Sequence, residues 1–202
     1  MTWVKVCGIT TAEARDAAVE AGADALGFVL VEGSPRKIAA RQAAALIGDT
    51  SVPSFILVAD VPPDVALRVA DECGAVGIQP YGAFAERVAL AALSQGYDVL
   101  YPISVGVDGP PVAAPADLDD ALVLFDTYTK AHGGSGRTFA WDLVAAVDRP
   151  FVLAGGLGPD NVGEAIRLVR PFGVDASSRL ESAPGVKDPD TIRAFVREAK
   201  QA

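Results

Sequence analysis

Eight times along the chain a short apolar run gives way to a turn, and six of those runs lead on into an amphipathic, mostly alanine-rich stretch. "VKVCG" precedes "TAEARDAAVEAG", "ALGFVL" precedes "AARQAAALIG", "PSFILVAD" precedes "PPDVALRVADEC", and "AVGIQP" precedes "AFAERVALAALSQG". "DVLYPISV" and "ALVLFD" follow, then "FVLAGG" with "GPDNVGEAIRLVRP" and "GVDASS" with "DPDTIRAFVREAKQ". Strands alternating with helices pair in parallel through right-handed crossovers. Eight such units in 202 residues predict a compact (β/α)8 TIM barrel, a single domain spanning residues 1–202, with an open doubly wound sheet as the alternative. The weak link is "GVDGPPVAAPADLDD" at 106–120, whose three prolines and two glycines predict a loop in place of most of the fifth helix.

Composition narrows the function classes. Half the residues are hydrophobic, enough for one sizeable core. A net charge of −9 repels nucleic acid and anionic membrane, so neither is expected as a partner. An anionic ligand must then be held by local donors such as backbone N–H groups at helix N-termini. No signal-type N-terminus and no apolar run of about 18 residues is present, which predicts a cytoplasmic protein. Cys7 and Cys73 are too few for a disulfide framework, and with His132 as the only histidine a zinc site is not expected.

In a barrel, side chains at the C-terminal ends of strands share one mouth, where active sites are built. Cys7, Asp126, the glycines of "LAGGL" and the serines of "DASS" all fall at such ends. Alone, Cys7 reads as a buried inert thiol, and Asp126 as a turn cap. Together they supply a proton acceptor and a proton donor to one mouth. Three late stretches, "GGSG" at 133–136, "AGGLGPDN" at 154–161 and "SSRLESAPG" at 177–185, permit close backbone approach. The last two lie in loops where barrels bind phosphate, with "SSRLE" placed to open a short extra helix. Arg36, in "SPRKI", is either a solvated loop charge or a fork-shaped donor for a carboxylate, and its position at the mouth favours the second. His132, beside "GGSG", reads as an exposed loop residue. Lys5, two residues before Cys7, points to the barrel interior, where an ammonium requires a carboxylate partner. Asp175 is the favoured partner, with Asp126 as the alternative.

With these motifs in order, "VKVCGIT", "ALGFVLVEGSPRKI", "LFDT", "GGSGRTFAW", "VLAGGLGPDNVGEAI" and "GVDASSRLESAPGVKD", the chain resembles the phosphoribosylanthranilate isomerase family of tryptophan biosynthesis from residue 4 to 188. The resemblance implies a cofactor-free Amadori rearrangement of a phosphorylated small-molecule substrate, in which Asp126 is the general acid that opens the ribose ring and Cys7 the general base that removes the C2 proton. It places Arg36 on the anthranilate carboxylate and Gly133, Gly134, Gly155, Gly156, Ser177 and Ser178 at the phosphate end, in a monomer or homodimer. Three positions depart from the family pattern. "QPYG" replaces the usual "QLHG", setting Tyr81 in place of a site-lining histidine; Arg179 stands where glycine is usual, adding a guanidinium near the phosphate end; and Ala140 replaces an aspartate before Trp141. Two further readings stay open: a barrel that binds sugar phosphates with weakened catalysis, and the histidine-pathway aldose–ketose isomerase, which uses an aspartate where Cys7 stands.

Overall fold

The computed structural model describes residues 1–106, 118–127 and 140–202. Its strands β1 (Trp3–Cys7), β2 (Ala25–Val29), β3 (Ser54–Ala59), β4 (Gly77–Tyr81), β5 (Asp98–Val105), β6 (Leu122–Thr127), β7 (Phe151–Leu153) and β8 (Gly173–Ala176) pair in chain order into a closed barrel. Each pairing is parallel, and β8 closes on β1 with Asp175 opposite Lys5. The closed barrel, and not the open sheet, is therefore the fold.

The outer ring among the described residues consists of α1 (Ala12–Glu20), α2 (Ala40–Gly48), α3 (Pro63–Cys73), α4 (Ala85–Ser94), α5 (Val162–Val169) and α6 (Pro189–Gln201). Local chemistry sets their ends. Thr11 and Asp188 cap α1 and α6 by accepting from the backbone N–H of Ala14 and Thr191, which satisfies donors that have no partner inside the helix. Proline opens α3 and α6, where its missing N–H costs nothing.

Strand alternation divides the core. One set of side chains, including Val4, Val6, Phe28, Ile56 and Ile78, packs outward against the helices, with small residues such as Ala14, Ala17, Ala66, Ala70 and Ala89 on the facing helix sides. Alanine there lets helix and sheet approach closely, and each fully buried Ile or Phe contributes about 1.5–3 kcal/mol. The other set points into the barrel. Ala25, Phe55, Leu100, Leu124, Val152 and Ala154 form its lower plug with Trp3 and Leu122. Cys7, Val29 and Leu57 lie together with Val31 and Tyr81.

The loop replacing the fifth helix lies mostly outside the described residues, as do His132, Gly133 and Gly134. The extra helix expected from "SSRLE" is a single 3₁₀ turn, Ser178–Leu180, followed by an unforeseen antiparallel hairpin, β9 (Glu181–Ala183) with β10 (Val186–Lys187). Pro184 and Gly185 join the two strands, with Gly185 at φ 82°. That residue order favours a tight turn over helix continuation.

Candidate active site

The pairing of Cys7 with Gly8 is explained by crowding. β1 ends at Cys7, and Gly8 takes φ 77° while its N–H and that of Ile9 both donate to the Gly27 carbonyl, at 2.9 and 3.0 Å. A Cβ on Gly8 would lie 2.7 Å from Arg36 Cδ, 2.9 Å from Ser177 Oγ and 3.1 Å from Lys187 Nζ. One on Gly27, in the neighbouring strand, would lie 2.8 Å from the Cys7 sulfur. Gly27 thus makes room for the thiol itself, and Gly8 for the Arg36, Ser177 and Lys187 side chains.

Below the thiol is a polar layer inside the barrel. Lys5 is fully buried; its Nζ donates to Asp175 Oδ1 and to Gln79 Oε1, each at 3.0 Å. Gln79 passes this orientation upward. With its oxygen fixed on the ammonium, its Nε2 donates to Tyr81 Oη at 2.7 Å. Burial opposes the Lys5 charge, but Asp175 and then Cys7 outweigh it and leave the ammonium above its ordinary value. The expected partner of Lys5 is the one found. Lys5→Ala should lower stability by about 3–5 kcal/mol, since it leaves Asp175 buried without its cation; chemical denaturation measures this, and a loss below about 1 kcal/mol would count against the pairing as a structural element.

A cavity of about 770 Å³ opens above this layer, lined by residues that include Cys7, Arg36, Leu57, Gln79, Tyr81, Asp126, Asp175, Ser177 and Ser178. That size accommodates a drug-sized ligand. Asp126, near the C-terminal end of β6, has its carboxyl pushed up to about 7, first by burial and then by the Asp175 charge. Gly155 at φ 86° is packed against it: a Cβ there would meet Thr127 Oγ1 at 2.2 Å and Asp126 Oδ1 at 3.0 Å. Burial likewise raises the Cys7 thiol, with Lys5 and Lys187 pulling the other way. Tyr81 is held well above the ordinary phenol value, first by burial and then by Asp126 and Cys7. Its hydroxyl stays protonated.

Arg36 does not project freely. It is buried, and its Nε and Nη2 donate to the two oxygens of Glu181 at 2.6 and 2.9 Å. Lys187 Nζ donates to the same carboxylate at 2.6 Å and to the Ser177 carbonyl at 3.1 Å. Glu181 and Lys187 escape a sequence reading because their positions are set by the β9–β10 hairpin. Gln79 was legible as the inward residue two before Tyr81. Two cationic side chains meeting one carboxylate give this corner a local positive bias that the overall charge of −9 conceals. Gly155, Gly156 and Arg179, all expected at the phosphate end, do not line the cavity. Arg179 is turned aside because Asp160 engages its guanidinium through both oxygens, at 2.8 and 2.9 Å, and the Gly156 carbonyl accepts from it at 3.1 Å. It braces one loop against the other.

A closed βα barrel with a thiol and a proton-holding carboxyl at one cation-flanked mouth has the makings of a barrel enzyme that works on a small anionic molecule. Comparison with known proteins narrows this class. The family model for N-(5'-phosphoribosyl)anthranilate isomerase matches residues 4–198. The chain is 44% identical to the N-(5'-phosphoribosyl)anthranilate isomerase of Geotalea uraniireducens, covering 99% of each, and 42% identical to that of Pelobacter propionicus, covering 100% of this chain and 97% of the relative. It therefore belongs to the phosphoribosylanthranilate isomerase family and is an isomerase. Solved relatives agree: the enzyme from Thermus thermophilus has a TM-score of 0.86 at 33% identity over 99% of each chain, and that from Thermotoga maritima 0.86 at 33% over 100% of each. A further solved isomerase, at TM-score 0.81 and 31% identity over 100% of each chain, is a complex with reduced 1-(o-carboxyphenylamino)-1-deoxyribulose 5-phosphate. Among the described residues no helix is long and apolar enough to cross a membrane.

Proposed function

We propose that the chain isomerises N-(5-phosphoribosyl)anthranilate to the 1-deoxyribulose 5-phosphate product, with Asp126 as general acid and Cys7 as general base. The observation that carries this division of labour is that both side chains line one cavity while Asp126 keeps its proton up to about pH 7. Asp126 gives its proton to the furanose ring oxygen as the C1–O bond breaks, and the nitrogen lone pair forms the C1=N bond of an iminium cation. The Cys7 thiolate then takes the C2 proton, and the released pair forms the C1=C2 bond of a neutral enolamine. Protonation at C1 and loss of the C2 hydroxyl proton give the ketone, and exchange with water restores the two groups.

Burial raises the resting thiol, so ionised sulfur needs support. Lys5 and Lys187 provide some of it, and the iminium charge formed beside the sulfur provides more. On this reading the Nη1 edge of Arg36 receives the anthranilate carboxylate, and the phosphate lies toward Ser177 and Ser178, where Lys187 adds positive charge. Tyr81 presents a phenol where the family pattern has a histidine.

The test is turnover of the phosphoribosyl substrate by purified protein, followed as loss of anthranilate-type fluorescence. A kcat/KM in the ordinary enzyme range, about 10⁴ M⁻¹s⁻¹ or more, is expected. Tight binding of the reduced product analogue without turnover would replace this reading with that of a sugar-phosphate-binding barrel.

A further inference from the structure

The corner beside the proposed carboxylate subsite contains a side chain to which the mechanism gives no task. Glu181 opens β9, and its carboxylate is almost fully enclosed, at 4% side-chain exposure. Oε1 accepts from Arg36 Nε and from Lys187 Nζ, both at 2.6 Å. Oε2 accepts from Arg36 Nη2 at 2.9 Å and from the Gly185 N–H at 3.1 Å. Four donors saturate it. Arg36 comes from an irregular loop after β2, where an arginine side chain has many rotamers to lose, and nothing in the loop's own backbone fixes the plane of its guanidinium. A two-point contact with a buried carboxylate fixes that plane. It uses the Nε–Nη2 edge, and among the described residues no hydrogen bond engages Nη1.

We infer that Glu181 is a positioning residue: it holds the Arg36 fork so that the Nη1 edge faces the cavity, ready for the carboxylate of the anthranilate ring. A structural role alone would not require this arrangement, because replacing a buried ion pair by well-packed apolar residues is often neutral or stabilising. Glu181 also takes Lys187, whose Nζ reaches the Ser177 carbonyl. One carboxylate therefore ties the loop after β2 to the loop after β8, which fixes the distance between the two ends of a ligand. The inference rests on the proposed placement of the substrate carboxylate at Arg36.

The experiment compares two ligands by calorimetry: reduced 1-(o-carboxyphenylamino)-1-deoxyribulose 5-phosphate and the same compound without its ring carboxyl. The native protein is expected to prefer the first by at least about tenfold, the scale of one charge-assisted two-point contact. Glu181→Gln should lose most of that preference. Arg36→Met should lose it as well, and the double variant should be no worse than Arg36→Met alone, because residues acting through one contact are not additive. Glu181→Asp, which keeps the charge but shortens the reach, should behave like Glu181→Gln. The ratio of two affinities reports only on folded molecules, so a modest loss of stability does not imitate this result. Retained preference in both Glu181 variants, or equal weakening of both ligands, overturns the role of Glu181. Retained preference in Arg36→Met shows instead that the carboxylate binds elsewhere, and then both the placement and the inference fail.

Discussion

Asp126→Asn is expected to lower kcat by about 10²–10⁴-fold, the usual contribution of a positioned general acid, and at the same time to raise the melting temperature at pH 8. The second effect follows from the raised carboxyl. In the fold its proton leaves only near pH 7, whereas in the unfolded chain it leaves near the ordinary aspartate value of about 3.9. The folded state thus holds the proton more tightly, and between those two values stability falls as pH rises. Above about pH 7 the full cost of a buried negative charge is present, on the order of 2–4 kcal/mol. Asparagine has nearly the same shape and cannot ionise. The two proteins should therefore melt together near pH 4 and diverge towards pH 8, by roughly 4–16 °C in a barrel of this size. A difference that does not change with pH would show that Asp126 is not held protonated by its surroundings, and full activity in the variant would remove it as the acid.

The same carboxyl illustrates what a sequence can disclose. Asp126 at a strand end is visible, and so is the alternation that puts Lys5 and Cys7 on one face. From these it follows that an interior ammonium needs an anion, and Asp175, its register partner in β8, is the one at hand. Strand periodicity reaches this far because period two and barrel closure fix which residues look inward. Loops have no such period. Arg36 and Glu181 are 145 residues apart, and their pairing depends on a hairpin whose existence turns on Pro184 and Gly185. Arg179 was legible as a guanidinium near the phosphate end, but that Asp160 would draw it away is a matter of loop geometry alone. Gly155 shows the converse. Read from the sequence, its glycine permits close backbone approach to a ligand; the packing adds a second reason for it, since a Cβ there would meet Thr127 and the Asp126 carboxyl.

Cys7→Ser should leave the fold intact and reduce kcat by about 10²–10⁴-fold, with affinity for the reduced product analogue changed by no more than a few-fold. The replacement is nearly isosteric in a confined place, since Gly27 leaves little spare room beside the sulfur, and the smaller oxygen fits without strain. The hydroxyl lacks an accessible anion. Burial already raises the thiol, and only the opposing charges of Lys5 and Lys187, reinforced by the cationic intermediate, bring ionised sulfur within reach. The same two lysines cannot compensate for a hydroxyl, whose ionisation lies far above that of a thiol. Binding measured apart from turnover separates this account from a packing role: a packing defect would weaken the analogue and lower the melting temperature, whereas loss of the base lowers kcat alone. Alkylation offers an independent check on the native protein, because a thiol held protonated by burial should react slowly with iodoacetamide near neutral pH and faster as pH rises. A serine variant that turns over at the native rate would mean that the C2 proton leaves to another group.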